Sequence, residues 1–238
     1  MLVLFFVYEL KWAESPLLPP SITKNRQIIT ILTSLFFGWG SFGIWTFYYY
    51  SFNLNLRHFS PLWAGSTHFV FVIFGTLAAL FVGLFMRKIG PSIVFCMSSV
   101  GFTCGCIISS VTPPSQTYWR NSFGMQVILA MGMDLSFPGA SIILSDILPM
   151  EYQGMSGSLV NTVVNYATSL FLGMGTTVET QVLKHGADTL HGYRSALYLA
   201  IGLAGLGFLF SFSYMVEDLW KRHRARMAKN AQAQLEFS

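Results

Sequence analysis

The chain has 238 residues, 53% of them hydrophobic and 16% aromatic but only 10% charged, and its mean hydropathy is +0.54. A soluble domain of this size carries about a quarter charged residues, so the composition excludes one and calls for an integral membrane protein. The net charge of +4 does not point to nucleic acid, because the basic residues are parcelled into short loops and a tail between apolar runs.

In chain order, Met1 to Tyr8 is apolar but far too short to span a bilayer. It lacks the basic n-region and small-residue cleavage site of a signal peptide, and reads as the last two turns of a transmembrane helix. Residues 9–27 are polar and hold Pro16, Pro19 and Pro20, which marks a surface connection. Six apolar runs follow, at residues 28–51, 62–86, 92–111, 122–145, 155–178 and 195–216, each near the ~20 residues a bilayer requires. The expected organisation is therefore all-α: a helix stub and connection over 1–27, a six-helix transmembrane bundle over 28–216, and a basic tail over 217–238.

Orientation follows from the cations. Lys11, Lys24, Arg26, Arg87, Lys88, Lys221, Arg222, Arg224, Arg226 and Lys229 fall on one side, and Arg57, Arg120, Lys184 and Arg194 on the other. The richer side is expected to be cytoplasmic, which places the C-terminus inside. The tail, Trp220 to Arg226, reads as a topological anchor beside anionic headgroups, with lipid binding as the lesser role. Small residues recur at helical spacing in the third run (Ser98, Gly101, Gly105, Ser109) and the last (Ala196, Ala200, Ala204, Gly207, Ser211). Smooth faces of this kind let helices approach closely in lipid, where no hydrophobic pull acts between them.

The fourth run carries the least expected residue. Asp134 lies 12 residues before Asp146, roughly 18 Å along a helix rising ~1.5 Å per residue. That is near the membrane midplane, where an ionisable group costs at least ~2.5–3.5 kcal/mol. Pro138 has no N–H to give to the Asp134 carbonyl, so a helix break is expected at the same depth. A polar notch of this kind suits a solute path better than a filler helix.

In the fifth run Asn161, Asn165 and Thr168 share a helical face, as interhelical glue or as the lining of a wet cavity. Residues 83–92 form a short basic loop in which Gly83 and Gly90 bracket Arg87 and Lys88. It reads either as an ordinary positive-inside loop or as a gate, with Arg87 reaching a carboxylate or a helix C-terminus. Tyr48, Tyr49 and Tyr50 form an interfacial belt, while Trp45 and Phe42 lie deeper and are candidates to face a solute. His68 reads as a packing residue before a proton relay, and Asp146 and Glu179 as solvated span ends. Cys96, Cys104 and Cys106 make neither a zinc nor a redox pattern. No nucleophile–base pair, metal set or phosphate loop is present, so neither an enzyme nor a cofactor is expected.

The segments Asp134 to Pro138, Ile143 to Pro149, Gln153-Gly154 and Ser158 to Tyr166 resemble fungal major facilitator superfamily transporters. The nearest branch is the 14-span drug:proton antiporters of the aminotriazole-resistance and boron-efflux type. Pro16 to Pro19, Asn25-Arg26 and residues 83–90 are similar to that branch as well. The last resembles its C-half cytoplasmic gating motif, with Arg87 where the N-half copy carries an aspartate.

The resemblance implies the C-terminal six-helix domain of such a transporter, in the plasma membrane or alternatively the vacuolar one. It implies a small-molecule solute, the proton gradient as coupling agent, and a missing N-terminal half or a related transporter as partner. On that view Asp134 takes the proton or a cationic solute, Asn161, Asn165 and Trp45 line the path, and Gly83, Arg87 and Gly90 form the gate. One half supplies one wall of a path that normally lies between two, so the chain is expected not to transport alone. The alternative is a membrane protein that does not transport but binds or regulates a full-length transporter.

Overall fold

The computed structural model describes residues 25–236, and every described regular element is helical. The expected stub and most of the polar connection, residues 1–24, lie outside the described residues. Helix α1 is Arg26–Asn55, α2 Pro61–Ser66, α3 Phe69–Ile89, α4 Pro91–Val111 and α5 Ser122–Ile147; a 3-10 turn, Met150–Met155, leads to α6 Ser156–Lys184 and α7 Thr189–Glu236. The six long helices match the six expected spans. Five segments are long and apolar enough to cross a membrane: Arg26–Asn55, Pro61–Ile89, Pro91–Val111, Ser122–Ile147 and Thr189–Ala228. Helix α6 has the length, at 29 residues, but Asn161, Thr162, Asn165, Thr168 and Glu179 dilute its apolarity.

Local chemistry sets the boundaries. Helix α1 starts at Arg26 because the Asn25 side chain accepts the Gln27 N–H at 2.9 Å and caps it. The expected second span is divided into α2 and α3. At the break the Thr67 hydroxyl donates to the Ala64 carbonyl (2.7 Å), and the Thr67 carbonyl accepts the Tyr118 hydroxyl (2.6 Å). Burial holds the Tyr118 phenol above its ordinary range, so it stays a donor. A Tyr118→Phe change should cost about 0.5–1.5 kcal/mol, the worth of one hydrogen bond, read as a lowered unfolding midpoint of the purified chain.

The expected break at Pro138 does not occur, since α5 runs unbroken through it. The proline removes one N–H donor but leaves the rest of the ladder, and neighbouring helices hold the segment in place. Helix α7 runs on from the last span through the basic tail to Glu236.

The helices form two layers. In the front layer α3 packs on α5 and α6 on α1, with α5 and α1 side by side; α4 and α7 lie behind, α4 against α5 and α7, and α7 against α1. The small-residue faces make the seams between layers. A Cβ on Gly101 would stand 2.9 Å from the Ile128 carbonyl oxygen and 3.0 Å from Gly132, and one on Gly207 3.0 Å from the Ser34 carbonyl oxygen. The Ser34 hydroxyl donates to the Gly207 carbonyl across the same seam at 2.7 Å.

Candidate functional site

Two grooves open on the front layer, one on either side of α1. The first, about 490 Å³, is lined by Asp134, Met133, Phe137 and Pro138 of α5, Ala79, Val82 and Gly83 of α3, and Trp39 of α1. The second, about 630 Å³, lies between α1 and α6; Trp39, Phe42, Thr46, Phe47 and Tyr50 face Asn165, Thr168 and Leu172. The second groove contains no charged residue.

Asp134 projects from α5 onto α3 beside Gly75, where a Cβ would stand 2.5 Å from Oδ2. Glycine there is what lets the carboxylate in. Oδ2 is buried and has no hydrogen-bond partner among the described residues. Groups buried this way ordinarily find partners, and a carboxylate left without one in an apolar groove carries a desolvation cost.

Trp39 lines both grooves and forms the wall between them. Its indole N–H donates to the Ser136 hydroxyl at 3.0 Å, and that hydroxyl donates to the Met133 carbonyl at 2.8 Å. Its ring meets Phe42 edge-on at 5.4 Å. The partition is thus anchored to α5 within three residues of Asp134. Nothing in the sequence singled out Trp39, although its spacing to Phe42, Gly43, Thr46 and Tyr50 traces one helical stripe.

In the second groove Asn165 donates to the Asn161 carbonyl (2.9 Å) and to the Asn161 side-chain oxygen (3.1 Å). Asn165 lines the groove, and Asn161, one turn away and exposed, steadies it.

Trp45 does not belong with them. It is 0% exposed, donates to the Met125 sulfur at 3.4 Å and stacks on Phe71 at 5.9 Å. Depth along α1 made it a candidate, but its azimuth points into the packing with Phe71 of α3 and Met125 of α5 while Thr46, one residue on, faces the second groove.

Gly83 lies at the end of the first groove with no neighbour that a Cβ would meet. Gly90 has φ +97° and simultaneously ends α3 and precedes Pro91 at the start of α4. That backbone conformation favours glycine. Arg87 is exposed and forms no ion pair among the described residues. The carboxylate at this turn instead belongs to α7: Asp218 accepts from Ser92 and pairs with Arg222 at 2.9 Å.

Two further positions differ from expectation or extend it. Glu179 is not a merely solvated end, because it accepts the hydroxyl of the buried Tyr48 at 2.7 Å. His68 is packed between Tyr50 (5.3 Å) and Phe71 (4.9 Å), with its Nδ1 buried and unpartnered among the described residues. No group of three or more His, Cys, Asp or Glu able to hold a metal is found among the described residues.

The helical bundle thus carries an aromatic groove and a mid-helix acid on one layer. The chain belongs to the major facilitator superfamily, whose family profile, Major Facilitator Superfamily, matches residues 9–172. It is 60% identical to an uncharacterized transporter of Saccharomyces cerevisiae, over 98% of this chain and 43% of that protein. It is 56% identical to the aminotriazole resistance protein of the same yeast, over 95% of this chain and 42% of the relative. With the yeast low affinity ammonium transporter it shares 39% identity, over 89% of this chain and 41% of the relative. The chain thus spans about two fifths of the length of the curated relatives it matches.

Proposed function

We propose that this domain is one wall of a proton-coupled exporter of small solutes in the plasma membrane, with its C-terminus in the cytoplasm. The observation that carries the reading is the unpartnered Asp134 carboxylate in its groove, across α1 and its Trp39 from an uncharged aromatic groove that fits an organic solute. Asp134 takes up the proton, Asn165 and Asn161 offer hydrogen bonds to the solute, and Arg87 with Gly83 and Gly90 works the cytoplasmic gate. The names of two relatives, an aminotriazole resistance protein and a low affinity ammonium transporter, are compatible with a solute-carrying role and leave the solute open.

Transport of this kind needs two walls that rock about a shared site. The chain expressed alone in yeast should therefore show no proton-driven efflux, and co-expression with the N-terminal half of its 60%-identical relative should restore it. Efflux by the chain alone at the rate of an intact relative would overturn the reading. Co-purification with an intact relative, without any restored transport, would favour a regulatory partner instead.

A further inference from the structure

The two helices that form the second groove are uncharged along it. Helix α1 carries no Asp, Glu, Lys, Arg or His from Gln27 to Asn55, and α6 carries none from Ser156 to Val178. Asp134 lines the other groove, on the far side of α1. A charged solute in the second groove would lose hydration and gain no counter-ion, which is costly. At about 630 Å³ the space suits a small organic molecule. Trp39, Phe42, Phe47 and Tyr50 supply rings on which a flat one can lie.

The polar side chains narrow the class further. The Thr46 hydroxyl donates to the Phe42 carbonyl at 2.9 Å, and the Thr168 hydroxyl to the Val164 carbonyl at 2.9 Å. Each proton is thus committed within its own helix, and what each hydroxyl still offers is its acceptor lone pairs. Asn165 follows the same pattern. Its nearest polar neighbours, the Asn161 carbonyl (2.9 Å) and the Asn161 Oδ1 (3.1 Å), are both acceptors. The amide nitrogen therefore faces them, which leaves Oδ1 for the groove. The Trp39 N–H is turned away to Ser136 at 3.0 Å. The middle of the groove presents acceptors from both helices, while every side-chain donor there is already engaged. Tyr50 and Ser51, a turn further along α1, carry hydroxyls able to give or take.

We propose, on the reading of this groove as the solute path, that its solute is an uncharged ring compound bearing N–H or O–H groups. It donates hydrogen bonds to Asn165, Thr168 and Thr46 while its ring lies on the α1 aromatics. Proton and solute then occupy different grooves, and the solute binds without Asp134.

Saturation-transfer NMR on the purified 238-residue chain in lipid nanodiscs, with empty nanodiscs subtracted, tests this with three probes built on one ring. Resorcinol has O–H donors, 1,3-dimethoxybenzene is its acceptor-only ether, and 3-hydroxy-N,N,N-trimethylanilinium keeps a donor and adds a positive charge. Resorcinol should bind tightest, and its ether more weakly by about 2–12-fold for each hydrogen bond lost. Thr168→Val keeps the shape and removes the oxygen, so it should weaken resorcinol by a similar factor and narrow its lead over the ether. Asn165→Leu should do the same. Thr177→Val, in a different groove of α6, should change neither probe, and circular dichroism matching the parent chain establishes that each variant is folded. Equal affinity for resorcinol and its ether would overturn the donor requirement while leaving the groove a solute site. Tightest binding of the cation, lost in Asp134→Asn, would overturn the uncharged class and assign the solute to the first groove. Binding of none of the three would overturn the groove as a solute path, and this proposal with it.

Discussion

Asp134→Asn should uncouple transport from pH. In cells that express this chain with a complementing N-terminal half, efflux driven by an imposed pH gradient should fall by about 5–150-fold, the usual span of a coupling free energy between two sites. The physical reason lies in the groove. Oδ2 rests against Gly75 with no donor among the described residues, so the only partners left to it are a proton, a water or a cationic solute. Asparagine keeps the shape and the hydrogen-bonding edge but cannot exchange a proton, so solute binding should persist while its pH dependence disappears. If the variant keeps the parent's pH dependence, Asp134 has no part in coupling and the proposed function loses its main support.

Gly101→Val should be among the most destabilising single changes in the bundle. A Cβ there meets the Ile128 carbonyl oxygen at 2.9 Å and the Gly132 backbone at 3.0 Å. These are main-chain atoms, which cannot rotate aside as a side chain can, so α4 and α5 must move apart. Overpacking of this kind costs typically about 1–3 kcal/mol, and the lost van der Waals contact along the seam adds to it because packing is what holds helices together in lipid. Thermal unfolding of the purified chain in detergent reads the effect. Gly202→Ala is the control: a Cβ there has no neighbour within 4 Å, and alanine is the better helix former by about 1 kcal/mol. Equal loss of stability in both variants would show that the seam is not the cause.

The one-dimensional features were legible before any fold was known. Length and apolarity identify a membrane helix by themselves, because the bilayer demands both of each segment separately. The small-residue faces of α4 and α7 could also be read, since helical spacing alone puts Ser98, Gly101 and Gly105 in line. Asp134 stood out for a related reason: an acid deep in an apolar run is costly wherever its helix packs.

What failed to be legible depended on direction around a helix or on a partner far along the chain. Trp45 and Trp39 are both tryptophans of α1, yet one is sealed against α3 and α5 and the other lines both grooves. Only the position of α5 and α6 tells them apart. Glu179 became a hydrogen-bonded residue through Tyr48, 131 residues away in sequence. The second span was divided because Tyr118, 51 residues on, takes the carbonyl of Thr67. Pro138 is the converse case: a local rule expected a break, and packing against neighbouring helices kept α5 whole.

By itself, then, the sequence determined that this protein lives in a membrane, that it is helical, where its spans fall and which buried acid stands out, because each of these follows from a residue's own solvation cost and its neighbours within a turn or two. Tertiary structure alone decided which aromatics face a solute, that Asp134 shares a wall with an uncharged groove across Trp39, and that the Gly90 turn is tied to α7 through Asp218 and Arg222. Those are relations between helices, and they exist only once close packing has chosen each helix's rotation and neighbours.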